Sequence, residues 1–98
     1  MSERTEKLKT AIETLHHCTA HHLDSTPVFE AFQGKVIWEG VVDTFEIIGH
    51  PKTFRCYAWP FKSDAGEELS ATVLGIPPVA SPETAVKVAI ASGQISLV

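Results

Sequence analysis

Two β-rich runs, Lys35 to Ile48 and Thr53 to Phe61, flank Gly49-His50-Pro51-Lys52, and no other feature constrains the fold as tightly. Glycine and proline in a short polar stretch punctuate strands with a turn, so the runs are read as one antiparallel hairpin. A loop of these four residues sets the register. Ile47 then faces Phe54, Phe45 faces Cys56 and Asp43 faces Ala58 on one side. Glu46 meets Arg55, Thr44 meets Tyr57 and Val42 meets Trp59 on the other. The first set is nearly all apolar and the second brings opposite charges together, as cross-strand neighbours prefer. A one-residue slip would ruin both faces. Asp43 is the discord on the apolar side, and a bulge at Gly40 is expected to turn it outward.

The remaining elements follow from periodicity and punctuation. From Glu3 to Leu23, Leu8, Ile12, Leu15, Thr19 and His22 recur on one helical face, with Ser2 as a possible cap and Asp24-Ser25-Thr26-Pro27 as the stop. Val28 to Phe32 reads as a strand joined to Lys35–Ile48 by the tight turn Gln33-Gly34. Glu68 to Ile76 is a further strand, ended by Pro77-Pro78. Ser81-Pro82-Glu83 opens a helix whose buried side is Ala85, Val86, Ala89 and Ile90 and whose stop is Gly93. The expected fold is α+β in the order α-β-β-β-β-α. It is a four-stranded antiparallel meander with the N- and C-terminal helices on one face, over a core including Leu15, Phe45, Ile47, Phe54, Cys56, Val86 and Ile90.

At 98 residues, with 44% apolar and 20% charged residues, the chain reads as a single domain with one modest core. A formal net charge of −4 excludes a nucleic-acid binder, which needs a basic face to displace counterions. No apolar run is long enough to span a membrane and Met1 to Glu6 lacks the core of a signal peptide, so a cytoplasmic chain is expected. Cys18 and Cys56 are then free thiols that pack as small hydrophobes.

Chemistry has few footholds. In His16-His17-Cys18-Thr19-Ala20-His21-His22, a continued helix would set His17 with His21, and Cys18 with His22, at a metal-ligand spacing. No third ligand lies nearby, and the expectation is imidazoles meeting the negative end of the helix dipole rather than a metal site. Cys56 has no base in reach, because His50 lies six residues along the strand, roughly 20 Å away. Glu39, Asp43 and Glu46 read as a solvated rim. No GxGxxG, P-loop, GxSxG or HExxH pattern occurs, so no catalytic residue and no cofactor is implied.

With both helices on one face, the other face of the sheet would be open. It would carry Arg55, Tyr57 and Trp59, with Thr44 and Glu46 beside them, a mixture of amphipathic rings and polar groups suited to binding. Ser70 and Thr72 would flank it and the Gln94–Val98 tail could cover part of it.

Two stretches carry a resemblance: Gly49-His50-Pro51 through Arg55-Cys56-Tyr57-Ala58-Trp59, and Ile76-Pro77-Pro78-Val79 followed by Ser81-Pro82-Glu83 and Ala85-Val86. Over about Pro27 to Ala91 the chain resembles small bacterial proteins found as short free-standing reading frames or integron-type gene cassettes. The resemblance implies a bacterial cytoplasmic setting and transfers no functional residue.

The leading expectation is a non-enzymatic interaction module, homodimeric, taking a protein or small-molecule partner on the Tyr57/Trp59 face. Trp59 is its expected anchor, and Arg55 would reach Glu46 of the other subunit. The alternatives are a small enzyme with an acid or base at Asp43 or His22, and a metal-responsive domain using the helix histidines.

Overall fold

The computed structural model describes residues 3–92. Helix α1 (Glu3–His16) leads into strands β1 (Thr19–Phe32), β2 (Lys35–Ile48), β3 (Arg55–Lys62) and β4 (Glu68–Leu74), and helix α2 (Pro82–Ala91) follows. The four strands form one antiparallel sheet in the order β1-β2-β3-β4, so the fold is the α+β meander expected. The β2–β3 register is also the expected one: Asp43 pairs with Ala58, Thr44 with Tyr57, Phe45 with Cys56 and Glu46 with Arg55. Ile47 N–H donates to Phe54 O at 2.9 Å. Gln33 and Gly34 both take positive φ, 52° and 78°, the geometry of a two-residue turn that follows strand twist.

Helix α1 ends at His16, a full turn and more before the expected stop. His17, at φ 53°, breaks it with a left-handed residue. The rest of the histidine-rich stretch is strand, running through Asp24-Ser25-Thr26-Pro27 to Phe32. The reason is non-local. A strand as long as β2 needs a partner along its length, and β1 supplies one from Thr19, opposite Ile48, to Phe32, opposite Lys35. Ala20 N–H also donates to Glu13 Oε2 at 2.9 Å, tying the start of the strand back to α1. Pro27 is accommodated because β1 is an edge strand.

The helices cover opposite faces, not one. Leu8 and Ile12 of α1 bury against Ala20, Phe45, Ile47, Cys56 and Ala58. Ala85, Val86 and Ala89 of α2 bury against Val28, Val42, Tyr57, Trp59, Ala71 and Val73. Strand β3 explains this: Cys56, Tyr57, Ala58 and Trp59 are all buried, so successive residues send apolar groups to both faces and both need cover. Leu15 and Phe54, expected in the core, are exposed, one in the last turn of α1 and the other in the β2–β3 loop. Ile90 packs at the margin of the α2 cluster.

Gly40 is not a bulge. It pairs with Val28, and the Trp38 indole lies over it so closely that a Cβ would sit 2.9 Å from Trp38 Cη2. The register shifts lie instead between His22 and Asp24 and between Glu30 and Ala31. The start of α2 matches expectation: Ser81 caps it, its Oγ accepting from Thr84 N–H at 3.2 Å, with Pro82 and Glu83 in the first turn. Ser2, Gly93 and the Gln94–Val98 tail lie outside the described residues.

Candidate functional site

The expected aromatic binding face does not stand open. Trp59 is 1% exposed, and Tyr57 and Thr44 are buried with it on the side that α2 covers. Burial pushes the Tyr57 phenol above its ordinary pKa. Glu46 is exposed and Arg55 half-buried, its guanidinium 5.9 Å from the centre of the Phe54 ring. The five residues thus divide between a core and a rim, and an exposed Tyr57/Trp59 anchor is corrected.

The histidines are dispersed. With no helix beyond His16, His17 and His21 do not share a helical face, nor do Cys18 and His22. His16 Nε2 lies 3.0 Å from Thr72 Oγ1 and its ring centre is 6.3 Å from that of His50. Burial first, then the charges of His50 and His17, hold the His16 pKa below the ordinary value. His21 stands opposite Glu46 on the exposed side of β1. Among the described residues no group of three or more His, Cys, Asp or Glu side chains could hold a metal ion. Both cysteines are free thiols. The Cys56 thiol is pushed up to about 12, mainly by burial, which keeps it protonated and unreactive.

Polar groups converge instead on Asp43. Its carboxylate is 2% exposed and points to the α1 side. Arg4 Nε donates to Oδ2 at 3.1 Å; His22 Nε2 lies 3.1 Å from Oδ1, and Ser25 Oγ donates to that same oxygen. The shift between His22 and Asp24 makes this possible. Residues three apart on a regular strand point to opposite faces, and the extra residue at Leu23 brings His22 and Ser25 to one. The His22 ring also stands edge-on to Phe45, with centres 5.3 Å apart.

Serine, histidine and aspartate together suggest a hydrolytic triad, but the geometry is wrong for one. A triad uses the two imidazole nitrogens separately, one toward the carboxylate and one toward the nucleophile. Here Nε2 faces both Asp43 Oδ1 and, at 3.2 Å, Ser25 Oγ, while the serine proton goes to the carboxylate. The cluster is a clamp on a buried charge that ties α1 to β1 and β2. The discord of Asp43 in the sequence marked its place; the local slip that supplies its partners had no signal there.

Beyond Asp43 the sheet opens. In the register of Ile47–Phe54, Phe45–Cys56 and Asp43–Ala58, the next hydrogen-bonded pair would join Val41 to Pro60. Proline has no N–H to give, and the Val41 carbonyl accepts from Arg4 Nη2 at 2.6 Å instead. From Val42 back to Lys35, β2 pairs with β1 but not with β3, and a cavity of about 360 Å³ fills the wedge between them. Pro60, read against the register, was the available sequence signal for this opening.

Among the described residues no helix is long and apolar enough to cross a membrane. No protein-family model, curated protein or solved structure matches the chain.

Proposed function

We propose that this chain is a non-enzymatic interaction module that acts as a homodimer, its copies meeting through the distal half of the β1–β2 hairpin. One observation carries the reading: large apolar side chains are exposed there. Phe29, 57% exposed, shares one face of the hairpin with the exposed Val36 and Val41, and Phe32, 65% exposed, stands on the other. Phe29 and Val41 lie diagonally across the strand pair on one face, with Pro27 opposite Val41. Apolar side chains gathered in this way are a mark of contact surfaces. The outer edge of β1 has no strand partner among the described residues, and an edge of this length needs blunting or use. A two-fold axis lets one such patch complement itself, and a small domain gains buried area by it.

The acid–base alternative finds His22 and Asp43 together, but locked to each other and to Ser25 rather than presented to a substrate. We take the setting to be the bacterial cytoplasm, as the resemblance to short reading frames implies.

Sedimentation equilibrium over a dilution series tests the dimer. The expected result is a mass twice the chain's 10.7 kDa that falls on dilution, and a mass of 10.7 kDa at every concentration overturns it.

A further inference from the structure

We propose that His16 and His50 form a pH-sensitive latch between the end of α1 and the β2–β3 loop, closed while both imidazoles are neutral and released when they take up protons. The latch lies past Ile48, at the opposite end of β2 from the surface through which the copies are proposed to meet, and its action does not depend on self-association.

Local backbone geometry brings the two rings together. The left-handed His17, at φ 53°, stops α1 and leaves His16 as its last residue, with Nε2 3.0 Å from Thr72 Oγ1 of β4. Gly49, at φ 99°, turns the chain out of β2 and brings His50 to that helix end, the ring centres 6.3 Å apart and the rings at 72° to each other. The far side of the loop is fixed separately. Thr53 Oγ1 donates to Gly75 O at 3.0 Å and accepts from Arg55 N–H at 3.2 Å. The contact with His16 holds the near side.

The proton chemistry of His50 makes that contact conditional. Its Nδ1 accepts from Lys52 N–H at 3.1 Å. An accepting ring nitrogen carries no proton, so the neutral ring holds its proton on Nε2 and a second can enter only at Nδ1. That proton and the Lys52 hydrogen bond exclude each other. Charging His50 therefore breaks the bond that shapes residues 49–52 and sets a cation against His16. The His16 ring keeps its place on Thr72, because a hydroxyl oxygen accepts from Nε2–H in either charge state of the ring. It is the loop that leaves.

The surrounding charges favour release. After burial, those that hold the His16 pKa below its ordinary value are His50 and His17, both cationic when protonated. Lys52 on the loop and Arg55 at the start of β3 add positive charge nearby. The carboxylates of the neighbouring elements are engaged elsewhere. Glu13 of α1 accepts from Ala20 N–H and lies 3.7 Å from Lys9 Nζ, Glu68 of β4 lies 3.7 Å from Lys7 Nζ, and Glu46 of β2 stands opposite Arg55 and His21. Cys18 and Cys56 are thiols whose pKa burial raises, so they stay uncharged as the histidines titrate. The loop also walls a cavity of about 600 Å³ between Glu46 and Phe54, and proton uptake reshapes that surface.

The test uses the full chain, labelled with ¹⁵N and followed by NMR from roughly pH 7.5 to 5, the range in which histidines change charge. At the upper end the His50 ring ¹⁵N shifts should place the proton on Nε2, and NOEs should connect the His16 and His50 rings. On acidification the ring-to-ring NOEs should vanish and the Lys52 amide proton should move upfield. Its protection against exchange should fall about three- to tenfold, the factor that one ordinary hydrogen bond carries. His50→Gln, uncharged at every pH, should abolish the pH dependence at Lys52. It should also raise the His16 midpoint toward the ordinary value, by removing one of the charges that lower it. His21→Gln, on the exposed side of β1, should leave both as in the parent. The proposal is overturned if the NOEs persist once both rings are charged, if Lys52 titrates unchanged in His50→Gln, or if the His16 midpoint stays where it was. It is overturned equally if the His50 proton sits on Nδ1 at the upper pH.

Discussion

Pro60 stands where the β2–β3 register calls for a donor to Val41, and the Val41 carbonyl turns to Arg4 Nη2 at 2.6 Å. Arg4 also holds Asp43 through Nε, so one guanidinium from α1 serves both the last paired residue of β2 and the point where the sheet opens. Charge, strand pairing and the wedge are therefore coupled through Arg4.

Arg4→Met should lower stability by about 1–3 kcal/mol, because it strips two acceptors of a partner and leaves the Asp43 carboxylate buried with less compensation. Urea denaturation followed by far-UV circular dichroism measures the loss. A variant as stable as the parent would show that the clamp contributes nothing to the fold.

His16 should make stability depend on pH. Its folded pKa lies below the ordinary 6.5 because of burial, with His50 and His17 adding to it, so the unfolded chain binds that proton more readily. Stability is thus fully present above the unfolded value and falls as pH drops from about 6.5 toward the folded value. His16→Gln removes this contribution, and urea midpoints over roughly pH 5 to 7.5 should show a shallower slope than the parent. Equal slopes would contradict the assignment.

The two thiols should differ in reactivity. Cys56 is buried with its thiol pushed up to about 12, whereas Cys18 is only partly buried. Iodoacetamide at mildly alkaline pH should label Cys18 in the folded chain and reach Cys56 only in denaturant, as mass spectrometry of the peptides would show. Labelling of Cys56 in the folded chain would place it outside the core.

Trp59→Ala should cost about 3–5 kcal/mol of stability, as large-to-small changes of a buried aromatic do. Calorimetry or urea unfolding checks it, and a loss well under 1 kcal/mol would mean that the indole is not in the core.

The central hairpin was legible in the sequence because its signals were local and agreed: a turn of Gly49 to Lys52 and a pairing that matched apolar to apolar and Glu46 to Arg55. Residues 17–23 were not, because their apolar positions fit a helical period while the demand that makes them strand comes from β2, distant in sequence. Tyr57 and Trp59 were misplaced for a related reason. Alternation assigns them to the face away from Cys56 and Ala58 correctly, but only the docking of α2 decides that this face is covered. Asp43 was recognisable as out of place, yet Arg4, His22 and Ser25 reach it through a helix end and a strand irregularity that leave no periodic trace.

The most direct test of the account is light scattering on Phe29→Ser beside Leu15→Ser, both replacing an exposed apolar residue, the first on the distal hairpin and the second on α1. The account predicts that the parent and Leu15→Ser share a mass near twice 10.7 kDa while Phe29→Ser falls to 10.7 kDa at the same concentration. A Phe29→Ser chain as dimeric as the parent would contradict it.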